Sequence, residues 1–195
     1  MALEAIKRLT ANRISARRLR RAIAALHTEL GEWFEMALAC DSRPETLEKA
    51  AEAYRRALAL APGWVEAHIN LGTTLYQLQR MEESKHSFAA AVGLEPNNAL
   101  ARFNLGCVLD QLGDSQGAIE HLRRAVELAP HLADAHLNLA LVYDQRGEKD
   151  LARKHLSLYL HYEPRGPWAE FARSRMGPSH PPRRSGKLTP FRRNG

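Results

Sequence analysis

Through the middle of the chain, small and apolar residues keep a helical spacing. His68, Leu71, Gly72 and Leu75 fall 3, 1 and 3 apart; the face returns in Leu105, Gly106 and Leu109, and again in Leu139, Ala140 and Tyr143. Side chains so spaced share one side of an α-helix. Between these stretches lie others with a matching face: Ala50, Tyr54 and Ala57; Ser84, Phe88 and Ala91; Ala118, Leu122 and Ala125; Ala152 and Leu156. Each stretch runs about three turns with few internal glycines or prolines. The pattern predicts helices and no β-sheet.

The stretches are copies of one unit. Pro62, Pro96, Pro130 and Pro164 stand 34 residues apart, each after a short apolar and acidic run: LALAP, VGLEP, VELAP, LHYEP. After the first three a phrase recurs, VEAHINLG from Val65, ALARFNLG from Ala99 and ADAHLNLA from Ala133. With each proline at position 32, the units are residues 31–64, 65–98, 99–132 and 133–166, each a helix A followed by a helix B. The proline pushes the residue before it out of the α region and starts the next turn. Gly113 and Gly147 fall at the A-to-B turn, where left-handed backbone costs glycine little. A small residue at position 8 (Gly72, Gly106, Ala140) lets helix B approach closely.

A 34-residue unit carrying these prolines and this NLG/NLA phrase resembles the tetratricopeptide repeat (TPR) family. The resemblance covers residues 31–166 and implies an all-α fold, an α-solenoid of antiparallel helix pairs wound into a superhelix. No such unit buries its apolar face alone, so stacking makes the core and the ends need caps. The departures fall at those ends. Unit 1 has Ala37 and Leu38 at positions 7 and 8, and Asp41 in place of the usual aromatic at position 11, so it reads as a divergent first repeat. Gln79 stands where unit 2 should have its turn glycine. Tyr159 occupies a position that is Ala in the other units, which suits a last repeat meeting a different cap. Residues 167–177 read as that capping helix: Pro167 at its start, Trp168 and Phe171 pointing inward, and Gly177-Pro178 ending it. Residues 178–195, rich in Pro and Arg, read as a disordered basic tail.

Charge separates these parts. Residues 1–30 carry seven Lys/Arg against Glu4 and Glu29, residues 31–166 carry 14 basic and 19 acidic side chains, and residues 167–195 carry seven basic side chains against Glu170. An acidic body between basic ends argues against nucleic-acid binding by the body. No run of about 18 apolar residues predicts a transmembrane helix, and the N-terminus lacks a signal-peptide pattern. Cys40 and Cys107 make no CxxC pair. Neither a disulfide framework nor a zinc site is expected, and a cytoplasmic address is the default.

Catalytic and cofactor chemistry find no constellation. Ser185-Gly186-Lys187 has Pro181 and Leu188 where a phosphate loop needs Gly and Ser or Thr. His68 and His136 sit at packing position 4, and His131 and His136, five apart, do not share a helical face. Neither cysteine has a partnered base. We therefore expect no enzyme, no metal, no cofactor and no small-molecule substrate.

Positions 5, 6, 9, 12 and 13 lie on helix A away from the stripe described above, and the TPR resemblance makes this the inner, concave wall. It reads Ile69, Asn70, Thr73, Tyr76 and Gln77; then Phe103, Asn104, Cys107, Asp110 and Gln111; then Leu137, Asn138, Leu141, Asp144 and Gln145. Asn at position 6 and Gln at position 13 recur in all three. A carboxamide carries both a donor and an acceptor, so a row of them can pair with both the C=O and the N–H of an extended peptide. This is similar to the asparagine ladder of superhelical TPR proteins; the other reading is a common family residue that solvates the helix. Ile69, Phe103 and Leu137 would give each Asn an apolar neighbour. The peptide-contacting residues expected are Ile69, Asn70, Thr73, Gln77, Phe103, Asn104, Asp110, Gln111, Leu137, Asn138, Leu141 and Gln145. The Lys/Arg clamp with which chaperone-binding TPR domains hold a C-terminal carboxylate is missing, since position 2 is Glu32, Glu66, Leu100 and Asp134. The acidic lining favours neutral or basic segments.

Residues 1–30 read as two helices, marked by Leu3, Ile6 and Leu9 and by Leu19, Ile23, Leu26 and Leu30, with Ser15 as N-cap. Their stretch LEAIKRLTANRISARRLRRAIAAL is similar to the last two helices of the winged-helix domain of MerR-type transcription regulators, though the half with the recognition helix would precede Met1. Two readings stand: a basic helical cap, or a truncated DNA-binding domain through which alone DNA could be bound. The expected function is accordingly a cytoplasmic, non-enzymatic scaffold for a protein or peptide partner, away from membranes, with a TPR-containing regulator fragment as the alternative.

Overall fold

The computed structural model describes residues 16–176. Among them the chain forms nine α-helices and no strand: α1 Ala16–Cys40, α2 Leu47–Leu60, α3 Val65–Gln77, α4 Met81–Leu94, α5 Ala99–Gln111, α6 Ser115–Leu128, α7 Ala133–Gln145, α8 Lys149–Tyr162 and α9 Ala169–Met176, with a 3-10 turn at Pro44–Thr46 before α2. Each helix packs on its neighbours in sequence, and α5 also touches α3 and α7, so successive A helices meet directly. This is an all-α solenoid of helix pairs.

The pairs close where position 8 on helix A meets position 24 on helix B. A Cβ built on Gly72 would lie 2.7 Å from the Phe88 ring, and one on Gly106 would lie 2.7 Å from Leu122 Cγ. Where unit 4 has Ala140 at position 8, the partner is Leu156, and both are buried. Ser84 Oγ donates to Gly72 O at 2.7 Å and ties α4 to α3 at the same level. In unit 1 the face is turned by one residue: Ala37 is buried against α2, and Leu38 is exposed.

Position 4 closes the turn between units. His68 Nε2 lies 2.9 Å from Pro62 O, Arg102 Nε 2.5 Å from Pro96 O, and His136 Nε2 2.9 Å from Pro130 O. Each is a side-chain donor on a carbonyl that the preceding helix leaves free. At the A-to-B turns Gly113 and Gly147 have φ of 85° and 77°, and Gln79 takes the same left-handed form at 62°.

α1 differs from the expected boundary between an N-terminal cap and unit 1. It runs unbroken through Leu30 and Gly31, so helix A of unit 1 is the second half of a longer helix. A lone glycine costs a helix only about 1 kcal/mol. Here Trp33, Phe34 and Ala37 hold the following turns against the first core cluster. The first predicted N-terminal helix and the basic tail 178–195 lie outside the described residues. At the other end, α9 packs on α8, and Ala172, Trp168 and Phe171 join Leu137, Leu156 and Tyr159 in one cluster. Tyr159 is buried, and its hydroxyl accepts from Trp168 N at 3.2 Å.

Candidate functional site

The wall made by helices A of units 2, 3 and 4 divides into a floor and a rim. Position 5 belongs to neither. Ile69 is buried with Phe88 of its own helix B and with Ala101 and Leu105 of the next helix A. Phe103 sits likewise between Leu122 and Leu139, and Leu137 between Leu156 and Ala172 of the capping helix. The expectation that these three side chains face a ligand is corrected: a helix A in the middle of a stack is covered on two sides, so position 5 fills the seam between units. All of residues 69–75 of α3 are buried for this reason.

The floor is polar and buried. Asn70, Asn104 and Asn138 are at most 2% exposed, and Thr73 is buried beside them. Asn138 Nδ2 donates to Cys107 Sγ at 2.9 Å, so position 6 of one unit reaches position 9 of the unit before. Thr73 and Thr74 return their hydroxyls to Ile69 O and Asn70 O at 3.0 and 2.9 Å. Asn70 Oδ1 is buried and has no hydrogen-bond partner among the described residues. Burial raises the Cys107 thiol far above its ordinary range, against the lowering effect of the Asn138 bond, so the sulfur stays protonated.

The rim is open. Gln77, Gln111 and Gln145 are exposed, and Tyr76, Asp110, Leu141 and Asp144 are partly so. Burial first, and then the neighbouring Cys107 and Asp110 of α5, push the phenol of Tyr76 on α3 up. Asp110 is itself raised by burial. Asp144, one unit on, is paired twice, to Lys149 Nζ at 2.6 Å and Arg175 Nη1 at 2.7 Å. The predicted residues thus separate by depth: Gln77, Asp110, Gln111, Leu141 and Gln145 at the surface, and Asn70, Thr73, Asn104 and Asn138 behind them.

Two features were not read from the sequence. Arg175, on the last turn of α9, comes back onto the wall at Asp144. His136 meets His155, 19 residues on, and the equivalent pair in unit 3 is Arg102 with His121 at 3.5 Å. Both pairs join positions 4 and 23, a link legible once the repeat register is laid out. Among the described residues no group of three or more His, Cys, Asp or Glu could hold a metal, and no helix is long and apolar enough to cross a membrane.

Antiparallel helix pairs repeating every 34 residues, with a polar row along the A helices, define a helical-repeat solenoid, a class that presents a long surface. The chain belongs to the tetratricopeptide repeat family, which it matches over residues 45–99, 69–133 and 105–167. Members of this family are, as a rule, non-enzymatic interaction scaffolds. No curated protein matches the chain in sequence. Among solved structures, that of MamA is similar over 76% of this chain and 79% of that one, at 26% identity and a TM-score of 0.70. YrrB, a TPR protein with an unusual peptide-binding site, is similar over 74% and 72%, at 24% identity and 0.64. MamA 41-end from Desulfovibrio magneticus RS-1 is similar over 75% and 85%, at 20% identity and 0.67.

Proposed function

We propose that this TPR array is a non-enzymatic scaffold that binds an extended peptide segment in the groove formed by helices A of units 2 to 4. The observation that carries the reading is Asn70 Oδ1, a buried carbonyl with no donor, on the same row as Asn104 and Asn138. A buried acceptor left unmade costs about 1–3 kcal/mol, and a ligand backbone N–H would remove that penalty. Gln77, Gln111 and Gln145 stand at the rim, two turns along from the asparagines, and offer side-chain contacts at the mouth. The rim carboxylates favour neutral or basic peptides. Cys40 and Cys107 are both free thiols, in keeping with a cytoplasmic address.

The test is the joint change Asn70→Ser, Asn104→Ser, Asn138→Ser, assayed against a partner recovered by pull-down and confirmed with purified protein. Binding should be lost while helical content is retained. Unchanged affinity for that partner would place the contact on another face.

A further inference from the structure

We propose that Asp110 on α5 and Tyr76 on α3 together receive an arginine side chain of the bound peptide, so that the groove selects partners with an arginine in the segment it holds. This rests on the groove reading and names the class of peptide for it. The array has already built such a site once and filled it from within. Arg175 of the capping helix lies with Nη1 2.7 Å from Asp144 Oδ2 and with its guanidinium carbon 5.2 Å from the centre of the Phe171 ring. A carboxylate and an aromatic ring thus hold one guanidinium. The Arg175 and Asp144 side chains are only 24% and 26% exposed, so the pair is partly shielded from water and counts for more than one at an open surface.

The same pieces recur one unit back without the cation. Tyr76, Asp110 and Asp144 all stand at position 12, 34 residues apart, on A helices that touch directly. Asp144 has both Lys149 and Arg175, whereas Asp110 is half-buried and has no cation within ion-pairing distance among the described residues. Burial holds the Asp110 carboxyl above its ordinary range, the mark of a group that has lost water without gaining a countercharge. Tyr76 packs against the seam between α3 and α5, close enough to Asp110 for that carboxylate to raise its phenol. It supplies at Asp110 the kind of ring that Phe171 supplies at Asp144.

The chemistry selects arginine. A planar guanidinium can pair with a carboxylate through two N–H groups and lie on a ring at the same time. An ammonium is a more strongly hydrated point charge and gives up more water on entering a half-buried site. Among the described residues, Lys149 and Arg175 are engaged on Asp144, and Arg146 on Glu148 and Gln116, which leaves the place at Asp110 to a side chain from a partner. The place also suits a peptide on the asparagine row. Asp110 stands six residues beyond Asn104 on α5. That is about 9 Å along the helix, or about three residues of extended chain.

The probe is a random dodecapeptide library displayed on phage and selected at low salt on the full-length chain. Selected peptides should carry arginine several-fold above its frequency in the library. One of them is then synthesised with its arginine intact, changed to lysine and changed to alanine, and affinities are read by fluorescence anisotropy. Loss of the arginine to alanine should weaken binding about fivefold or more to the unmodified chain and to the surface-charge control Glu127→Gln, but by less than about twofold to Asp110→Asn. Tyr76→Leu should bring the arginine and lysine forms level. No selected peptide, no arginine enrichment, an arginine effect that persists in Asp110→Asn, or an arginine preference that persists in Tyr76→Leu would each overturn the proposal. The triple-serine variant judges the groove reading separately. Selected peptides without excess arginine that lose affinity for that variant would leave the groove and remove the arginine site. Arginine peptides that need Asp110 but bind the variant unchanged would leave the arginine site and remove the asparagine row.

Discussion

His136 on α7 and His155 on α8 face each other with their Nδ1 atoms 3.0 Å apart, rings stacked at 28°. One of the two nitrogens must donate. His136 Nε2 lies 2.9 Å from Pro130 O, which can only accept, so His136 carries its proton on Nε2 and its Nδ1 accepts from His155 Nδ1–H. Both imidazoles are neutral in this arrangement. Burial, then the repulsion that a protonated His155 would meet from His136, Lys154 and Arg123, bring His155 down to about 4, and burial lowers His136 as well.

A depressed base pKa means that the folded chain binds fewer protons than the unfolded one. The stabilisation is complete above the unfolded value, near 6.5, and is lost as pH falls from there toward about 4. The melting temperature should therefore drop between pH 7 and pH 4.5. His155→Gln should flatten part of that slope, and the exposed control His86→Gln should not. Identical slopes for both variants would show that the pair does not set the acid sensitivity.

The contact between positions 8 and 24 predicts a coupling. Gly72→Ala puts a methyl group into the Phe88 ring and should destabilise by about 1–3 kcal/mol. Adding Phe88→Leu removes the ring that the methyl group meets, and the double variant should lose less than the sum of the two single changes. Denaturant unfolding of the two single variants and the double variant measures the coupling; strict additivity would show that the two positions do not compete for the same space.

Gln79 is the one non-glycine residue with positive φ in the array. Its two counterparts, Gly113 and Gly147, adopt that backbone without steric penalty. Gln79→Gly should stabilise the protein by about 0.5–1 kcal/mol, the left-handed strain relieved less the extra entropy of a glycine. A lower urea midpoint for this variant would contradict the strain argument.

Asp41, where the family has an aromatic, is buried in the first unit and accepts from Tyr54 Oη at 2.8 Å. Tyr54→Phe keeps the ring packing against Phe34 and removes that donor. A loss of about 1.5–3 kcal/mol is expected for a bond to a charged group. A change below about 0.5 kcal/mol would mean that the other contacts of Asp41 suffice.

The period, the helix pairs and the position 8 contacts were legible because they are local and repeat: Gly72, Gly106 and Ala140 state the same requirement three times. The wall was legible only as a face. Spacing along one helix shows which residues share a side but not how many neighbours cover it, so Ile69, Phe103 and Leu137 looked like ligand contacts. They are in fact seam residues between units. The start of unit 1 was hidden for a related reason, since Gly31 neither caps nor breaks α1 when Trp33 and Phe34 anchor the next turn. Arg175 on Asp144 depends on where the capping helix lands, and no motif encodes that.

Tyr159 fills the last seam of the array. In units 2 and 3 the alanine at this position is buried in the seam with the next helix A; in unit 4 a phenol fills the gap and bonds to Trp168 of the cap. A duplicated unit spliced in after residue 166 would find that berth occupied. A further repeat docked there would pack best with alanine in place of Tyr159, so one side chain separates a seam that accepts another helix pair from one that accepts the cap.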